Sequence, residues 1–110
     1  MELMYVAGPY SAPTPEAIAA NVAAAAAVGQ ECMRRGWAVI CPHSMTHCWD
    51  IGTGLVADDF YASDLEILDR CDAIAMVGKW QASTGSALEW QRAHERGLQV
   101  FENVSEVPWL

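Results

Sequence analysis

Four short apolar runs do most to limit what this chain can fold into: "LMYVAG" (3–8), "WAVIC" (37–41), "AIAMVG" (73–78) and "LQVF" (98–101). Each is too short for a buried helix, and glycine or proline closes or adjoins most of them, so each reads as a buried strand. The segments between them have helical character. From Glu16 to Arg35 alanine dominates, an acid lies early, arginines lie late, and Gly36 sits where a C-cap belongs. Small side chains there let a helix lie close to a sheet.

Residues 58–71, "DDFYASDLEILDRC", place Phe60, Leu65, Leu68 and Cys71 near one side of a second helix. "SALEWQRAHERG" is a third, ended by Gly97. Strands alternating with helices predict βαβ units and a parallel sheet of four to five strands covered on both faces, a flavodoxin/Rossmann-like three-layer α/β sandwich. A chain of 110 residues that is 53% hydrophobic suits one domain over 1–110.

A formal net charge of −8 argues against a nucleic acid polymer as partner, because phosphate-backbone binding needs a basic face. A small anion on backbone amides stays open. No apolar run approaches the ~20 residues of a membrane span, and "MELMYVAG" lacks signal-peptide features, so a cytoplasmic protein away from membranes is expected. Cys32, Cys41, Cys48 and Cys71 form no CxxC pair and are expected to be reduced.

In open parallel sheets ligands sit beyond the carboxyl ends of the strands, which nominates the loops after Gly8, Cys41 and Gly78. The first, "PYSAPTP", carries three prolines and brings Gly8, Pro9 and Tyr10 to the site. The third leads into "STGSALEWQRAHERG" (83–97), where Ser83, Thr84 and Gly85 open a helix with free amides suited to an anion. Glu89 lies four residues past Gly85 on the same face, about 6 Å along the axis, with its side chain leaning back toward the N-terminus. By spacing alone, Glu89 equally suits an ion pair with Arg92 or Arg96 on a solvated face.

Residues 42–57, "PHSMTHCWDIGTGLVA", read as a long functional loop. His43, His47, Cys48 and Asp50 are possible metal ligands, but they lack the paired spacing of a tetrahedral zinc site, and no metal or other cofactor is expected. Base-facing roles for His43 and Trp49 and simple loop packing are both open. Trp49 and Trp80 lie on site-facing loops where a ring can stack on a base, whereas Trp37 and Trp90 adjoin regular elements and are expected to pack. Trp109 is expected to anchor the tail or a subunit contact.

Taken together, "MYVAGPY", "CPHSMTH", "SDLEILDRCDAIAMV" and "STGSALEWQRAHERGLQVF" resemble the nucleoside 2-deoxyribosyltransferase superfamily over nearly the whole chain. The similarity is greatest to its small deoxyribosyltransferase-like proteins and, beside them, to the nucleoside 5′-monophosphate N-glycosidases, whose Ser-x-Gly-x-x-x-Glu pattern is met by Ser83, Gly85 and Glu89. The transferases acting on free nucleosides tend to carry Asp where this chain has Ser83, which tips the resemblance toward a phosphorylated substrate.

The resemblance implies Glu89 as the nucleophile at C1′, Asp64 as the acid that protonates or orients the leaving base, Tyr5 as the hydroxyl that positions the nucleophile, and His43 as a group facing base or sugar. It implies hydrolysis or base exchange at the N-glycosidic bond, by the two-carboxyl chemistry of a retaining glycosidase. Without it, Ser63 and Asp64 are ordinary charges and caps near a helix start. The chain departs from the phosphate-binding hydrolases in having no Arg in its first loop, "GPYSAPTP". Only "ENVSEVPWL" follows Phe101, where the family often has a residue reaching a neighbouring subunit; Asn103 or Ser105 is available for that in a homodimer or higher homo-oligomer. The other class of reading is a nucleotide-binding or sensor module that uses the same pocket without catalysis. Phosphoryl transfer is disfavoured because no GxxxxGK[ST] loop is present.

Overall fold

The computed structural model describes residues 1–110. Its strands are β1 (Leu3–Ala7), β2 (Ala38–Ile40), β3 (Ala73–Met76) and β4 (Gln99–Phe101). Its α-helices are α1 (Pro15–Arg34), the one-turn α2 (Pro42–Met45), α3 (Ala57–Leu68) and α4 (Thr84–Glu95). The four strands form one all-parallel sheet in the order β2-β1-β3-β4. This is the α/β class expected, and the sheet order is compatible with a flavodoxin-like layering.

Side-chain alternation along the two central strands divides the core. Met4 and Val6 of β1 join Ala73 and Ala75 of β3 in a cluster with Ala25 and Cys32 of α1 and Val107 of the tail. Tyr5 and Ala7 join Ile74 and Met76 in a second cluster with Leu68 of α3 and Ala93 of α4. A period of two therefore sends Tyr5 to the α3/α4 layer, the layer that carries Asp64 and Glu89.

Helix α1 begins with Thr14, whose hydroxyl accepts from the Ala17 amide at 3.1 Å, and with Pro15 in its first turn. It ends in a Schellman motif: Trp37 N–H reaches the Cys32 carbonyl and Gly36 N–H the Met33 carbonyl, with Gly36 at φ +96°. Ala25, Gly29 and Cys32 form its buried edge, close enough that a side-chain carbon on Gly29 would meet Val39 at 3.3 Å. The small residues of α1 bring it against β2, as expected.

Boundaries differ where local caps compete with pattern. The helix expected over 58–71 stops at Leu68, because the Arg70 and Cys71 amides turn back onto the Ile67 and Leu68 carbonyls. The stretch expected as loop from 42 to 57 starts as a helical turn, with Pro42 at its head and the Cys41 carbonyl accepting from Ser44 and Met45. Arg35 and Trp37 anchor the tail: the Arg35 guanidinium donates to the Val104 and Val107 carbonyls and Trp37 Nε1 to the Pro108 carbonyl, while the exposed Trp109 ring lies 5.3 Å from the Arg35 guanidinium. Asn103 is occupied locally, its Oδ1 accepting from the Ser105 amide at 2.9 Å.

No helix is long and apolar enough to cross a membrane. All four cysteines are unpaired, with Cys32 and Cys71 buried. Burial pushes both of those thiols up to about 11.

Candidate active site

Consecutive connections leave β1 and β3 in opposite directions along the sheet, so the loops after them part at the switch point between the two strands. There the chain forms a cavity of about 960 Å³. Gly8, Pro9 and Tyr10 line it from the β1 loop, His43 from α2, Asp64 from α3, and Ser83, Thr84, Gly85 and Glu89 from the start of α4. Gly8 is needed there because a side-chain carbon would lie 2.6 Å from Val77 Cβ, where the first loop crosses the end of β3.

Tyr5 lies beneath the cavity, fully buried in the centre of the sheet, and its hydroxyl donates to Glu89 Oε2. Glu89 itself is 7% exposed. Its other carboxylate oxygen has no hydrogen-bond partner, and Glu89 meets solvent only through the cavity that it lines. Arg92 and Arg96 are not its partners: both bind Asp69, Arg92 through two bonds of 2.8 and 2.6 Å and Arg96 through one of 3.1 Å. The ordinary helical ion pair is thus made by a different acid, and Glu89 is left buried without a cation.

Two tryptophan expectations change. Trp49 is 55% exposed and outside the cavity wall, carried away by the turns that follow α2. Trp80 is buried in a 3₁₀ turn and stacks on Trp90 at 5.4 Å, so its face is already covered.

The histidines of the "PHSMTH" stretch clamp the first loop. His43 Nε2 donates to the Gly8 carbonyl, His47 Nδ1 lies 3.0 Å from the Tyr10 hydroxyl, and Asn21 Nδ2 donates to the Tyr10 carbonyl. Burial holds the His43 pKa below its ordinary value, so its ring stays neutral at pH 7. No three His, Cys, Asp or Glu side chains stand close enough together to share a metal ion.

A family described as a domain of unknown function, DUF4406, matches residues 2–102. The chain belongs to this family. The DUF4406 match takes in the whole sheet and every residue of the cavity wall, and leaves out Met1 and the tail beyond Glu102. No curated protein matches the chain.

Within this DUF4406 domain the cap of α4 is well made. Ser83 Oγ accepts from the Ser86 amide at 3.3 Å and from the Ser86 hydroxyl at 3.0 Å, which leaves the Thr84 and Gly85 amides without a backbone acceptor on the cavity wall. The electrostatics at the floor follow from burial. Desolvation pushes Glu89 up to about 7, opposed by the Tyr5 hydrogen bond and reinforced by the charge of Asp64. Desolvation alone pushes Asp64 up to about 6. Tyr5 is raised far above the ordinary phenol value by burial and then by Glu89 and Asp64, so it is a donor at every working pH.

Sequence reasoning passed over several wall residues. Lys79 is the only lysine and lies on the wall, whereas all five arginines are paired with carboxylates elsewhere. Its signal was its place directly after Gly78, outside any phosphate-loop pattern. Tyr61 was also missed, although it stands three residues before Asp64 and so shares its helical face. Asp58 was missed as well, and Asp50, noted only as a possible metal ligand, joins it in the cavity lining.

Proposed function

We propose that the domain cleaves the N-glycosidic bond of a nucleoside or deoxynucleoside 5′-monophosphate, with Glu89 as nucleophile. The observation that carries this reading is the Glu89 carboxylate: buried, free of any cation, held at one oxygen by Tyr5 and open to the cavity at the other. A free oxygen fixed in this way suits attack on a sugar C1′, and the oxocarbenium-like centre that develops supplies the positive charge the site lacks. Tyr5 holds the carboxylate in one rotamer and favours its ionised form.

Asp64 supplies the second carboxyl group of a double displacement. Protonated, it assists departure of the base; ionised, it takes a proton from the attacking water. The Thr84 and Gly85 amides with Lys79 on the same wall suit a 5′-phosphate, and Lys79 offers the cation that the first loop lacks.

The test is incubation with a panel of nucleosides and 5′-monophosphates, with and without a second free base. Release of base marks a hydrolase and exchange marks a transferase. Wild type and Glu89→Gln behaving alike on every compound would rule the assignment out, and nucleotide binding without turnover would favour a sensor.

A further inference from the structure

The cavity carries more negative charge than a neutral nucleoside needs. Asp50, Asp58, Asp64 and Glu89 face it against the one cation Lys79. By element, Lys79 and the Ser83–Gly85 cap come from the connection between β3 and α4, whereas Asp58, Phe60, Tyr61 and Asp64 come from α3 and Asp50 from the loop before it; the two sides meet where Tyr61 lies against Gly85. The α3 side attracts a flat, positively charged ring through both Coulombic and cation–π terms. The unpartnered oxygen of the buried Glu89 opens into the same space.

Proton supply points the same way. At neutral pH Asp64 is mainly ionised, the Tyr5 hydroxyl is spent on Glu89, and His43 is neutral with its Nε2 proton on the Gly8 carbonyl. Tyr61 is raised by burial and by Glu89 and is a weaker acid than usual. Apart from Glu89, which must be ionised to attack, the other proton carriers in the lining are Tyr61 and Lys79, so protonation of a leaving base falls to the minor protonated fraction of Asp64, while its ionised majority is ready to serve as a base.

We infer that, within the glycosidase reading on which this rests, the preferred substrates are N-glycosides of a positively charged nitrogen heterocycle of pyridinium type, and that Asp64 acts on them only as the base for water. Glu89 uses a carboxylate lone pair to bond C1′. The C1′–N bond breaks, and its electron pair neutralises the ring nitrogen, so the heterocycle leaves as a neutral molecule without a proton. Water then attacks C1′ and gives its proton to Asp64, and the ester bond electrons return to Glu89. The products are the heterocycle, the free sugar and one proton, which Asp64 passes to solvent. The cationic ring also favours the ionised form of Glu89 while it is bound.

The experiment compares nicotinamide riboside and nicotinamide mononucleotide with inosine, cytidine, their 2′-deoxy forms and their 5′-monophosphates at pH 7.5, with Glu89→Gln as control. The expected result is a kcat/KM at least roughly 100-fold higher for the pyridinium compounds, the scale of a general-acid contribution that they do not need. Asp64→Asn should still release one equivalent of nicotinamide in a burst and then turn over slowly, with a glycosylated enzyme visible by mass spectrometry. Cleavage of neutral-base compounds with the pyridinium compounds untouched overturns this inference and leaves the glycosidase reading standing. An Asp64→Asn variant that loses the burst overturns the base-only role, and no cleavage of any compound overturns both readings.

Discussion

The Tyr5 hydroxyl donates to Glu89 Oε2 across the seam between the central strand β1 and helix α4, joining residues 84 positions apart in the chain. Both groups are buried, and the phenol stays protonated in this setting, so whenever Glu89 is ionised the bond runs from Tyr5 to Glu89. Replacing Tyr5 with Phe keeps the ring in the core and removes only the donor. The carboxylate then loses the one contact that lowers its pKa. Tyr5→Phe should lower kcat by roughly 10- to 100-fold, shift the ionisation of Glu89 upward, and change KM little. A variant with wild-type kcat and an unshifted pH profile would deny Tyr5 a positioning role.

The same burial makes Glu89 a stability cost. Its pKa is about 7 in the folded chain against an ordinary 4.5, so between those values the folded state holds the extra proton. Stability is therefore greatest below the unfolded value and falls as pH rises through about 7, by about 3 kcal/mol in all. Gln cannot ionise, and its amide oxygen still accepts from Tyr5. Urea melts should give Glu89→Gln and wild type nearly equal stability at pH 4.5, with the variant ahead by a few kcal/mol at pH 8. A gap that does not change with pH would mean that Glu89 is not buried as an acid.

Much of the fold was legible in the chain itself. The short unbroken apolar runs "LMYVAG" and "AIAMVG" locate the central strands, strand–helix alternation gives their parallel direction, and the family resemblance picked out Glu89, Asp64 and Tyr5. What escaped was set by tertiary choice among equivalent local options. Spacing puts Glu89 in reach of Arg92, whereas Asp69 is 23 residues from it, and only packing of α3 on α4 gives Arg92 and Arg96 to Asp69. Trp80 and Trp49 both sit beside the site in sequence; Trp80 finds Trp90 and is buried, while Trp49 is turned outward. His47 and Asn21 look like unrelated polar residues until the first loop folds between them.

Gly8 offers a test of loop placement independent of chemistry. A side-chain carbon there would lie 2.6 Å from Val77 Cβ, well inside contact distance. Gly8→Ala should destabilise the fold by about 1–3 kcal/mol, typical of overpacking. Because the clash is with Cβ, Val77→Ala should not relieve it, whereas Val77→Gly should restore part of the loss in the double variant. Equal rescue by both would place the first loop elsewhere.

The acid–base assignment makes a pH prediction that differs between substrates. With a neutral base, productive turnover needs Glu89 ionised and Asp64 protonated, two groups at about 7 and about 6. Rate rises as the first loses its proton and falls as the second does, so kcat/KM should be bell-shaped with its maximum at about pH 6.5. With a pyridinium substrate no protonated Asp64 is required, and only the rising limb should remain. In Asp64→Asn the negative charge that helps raise Glu89 is gone, so that limb should also move to lower pH. Initial rates from pH 5 to 9 on one substrate of each kind distinguish the cases. A bell of the same shape for both substrates would mean that Asp64 must be protonated whatever the charge of the leaving group.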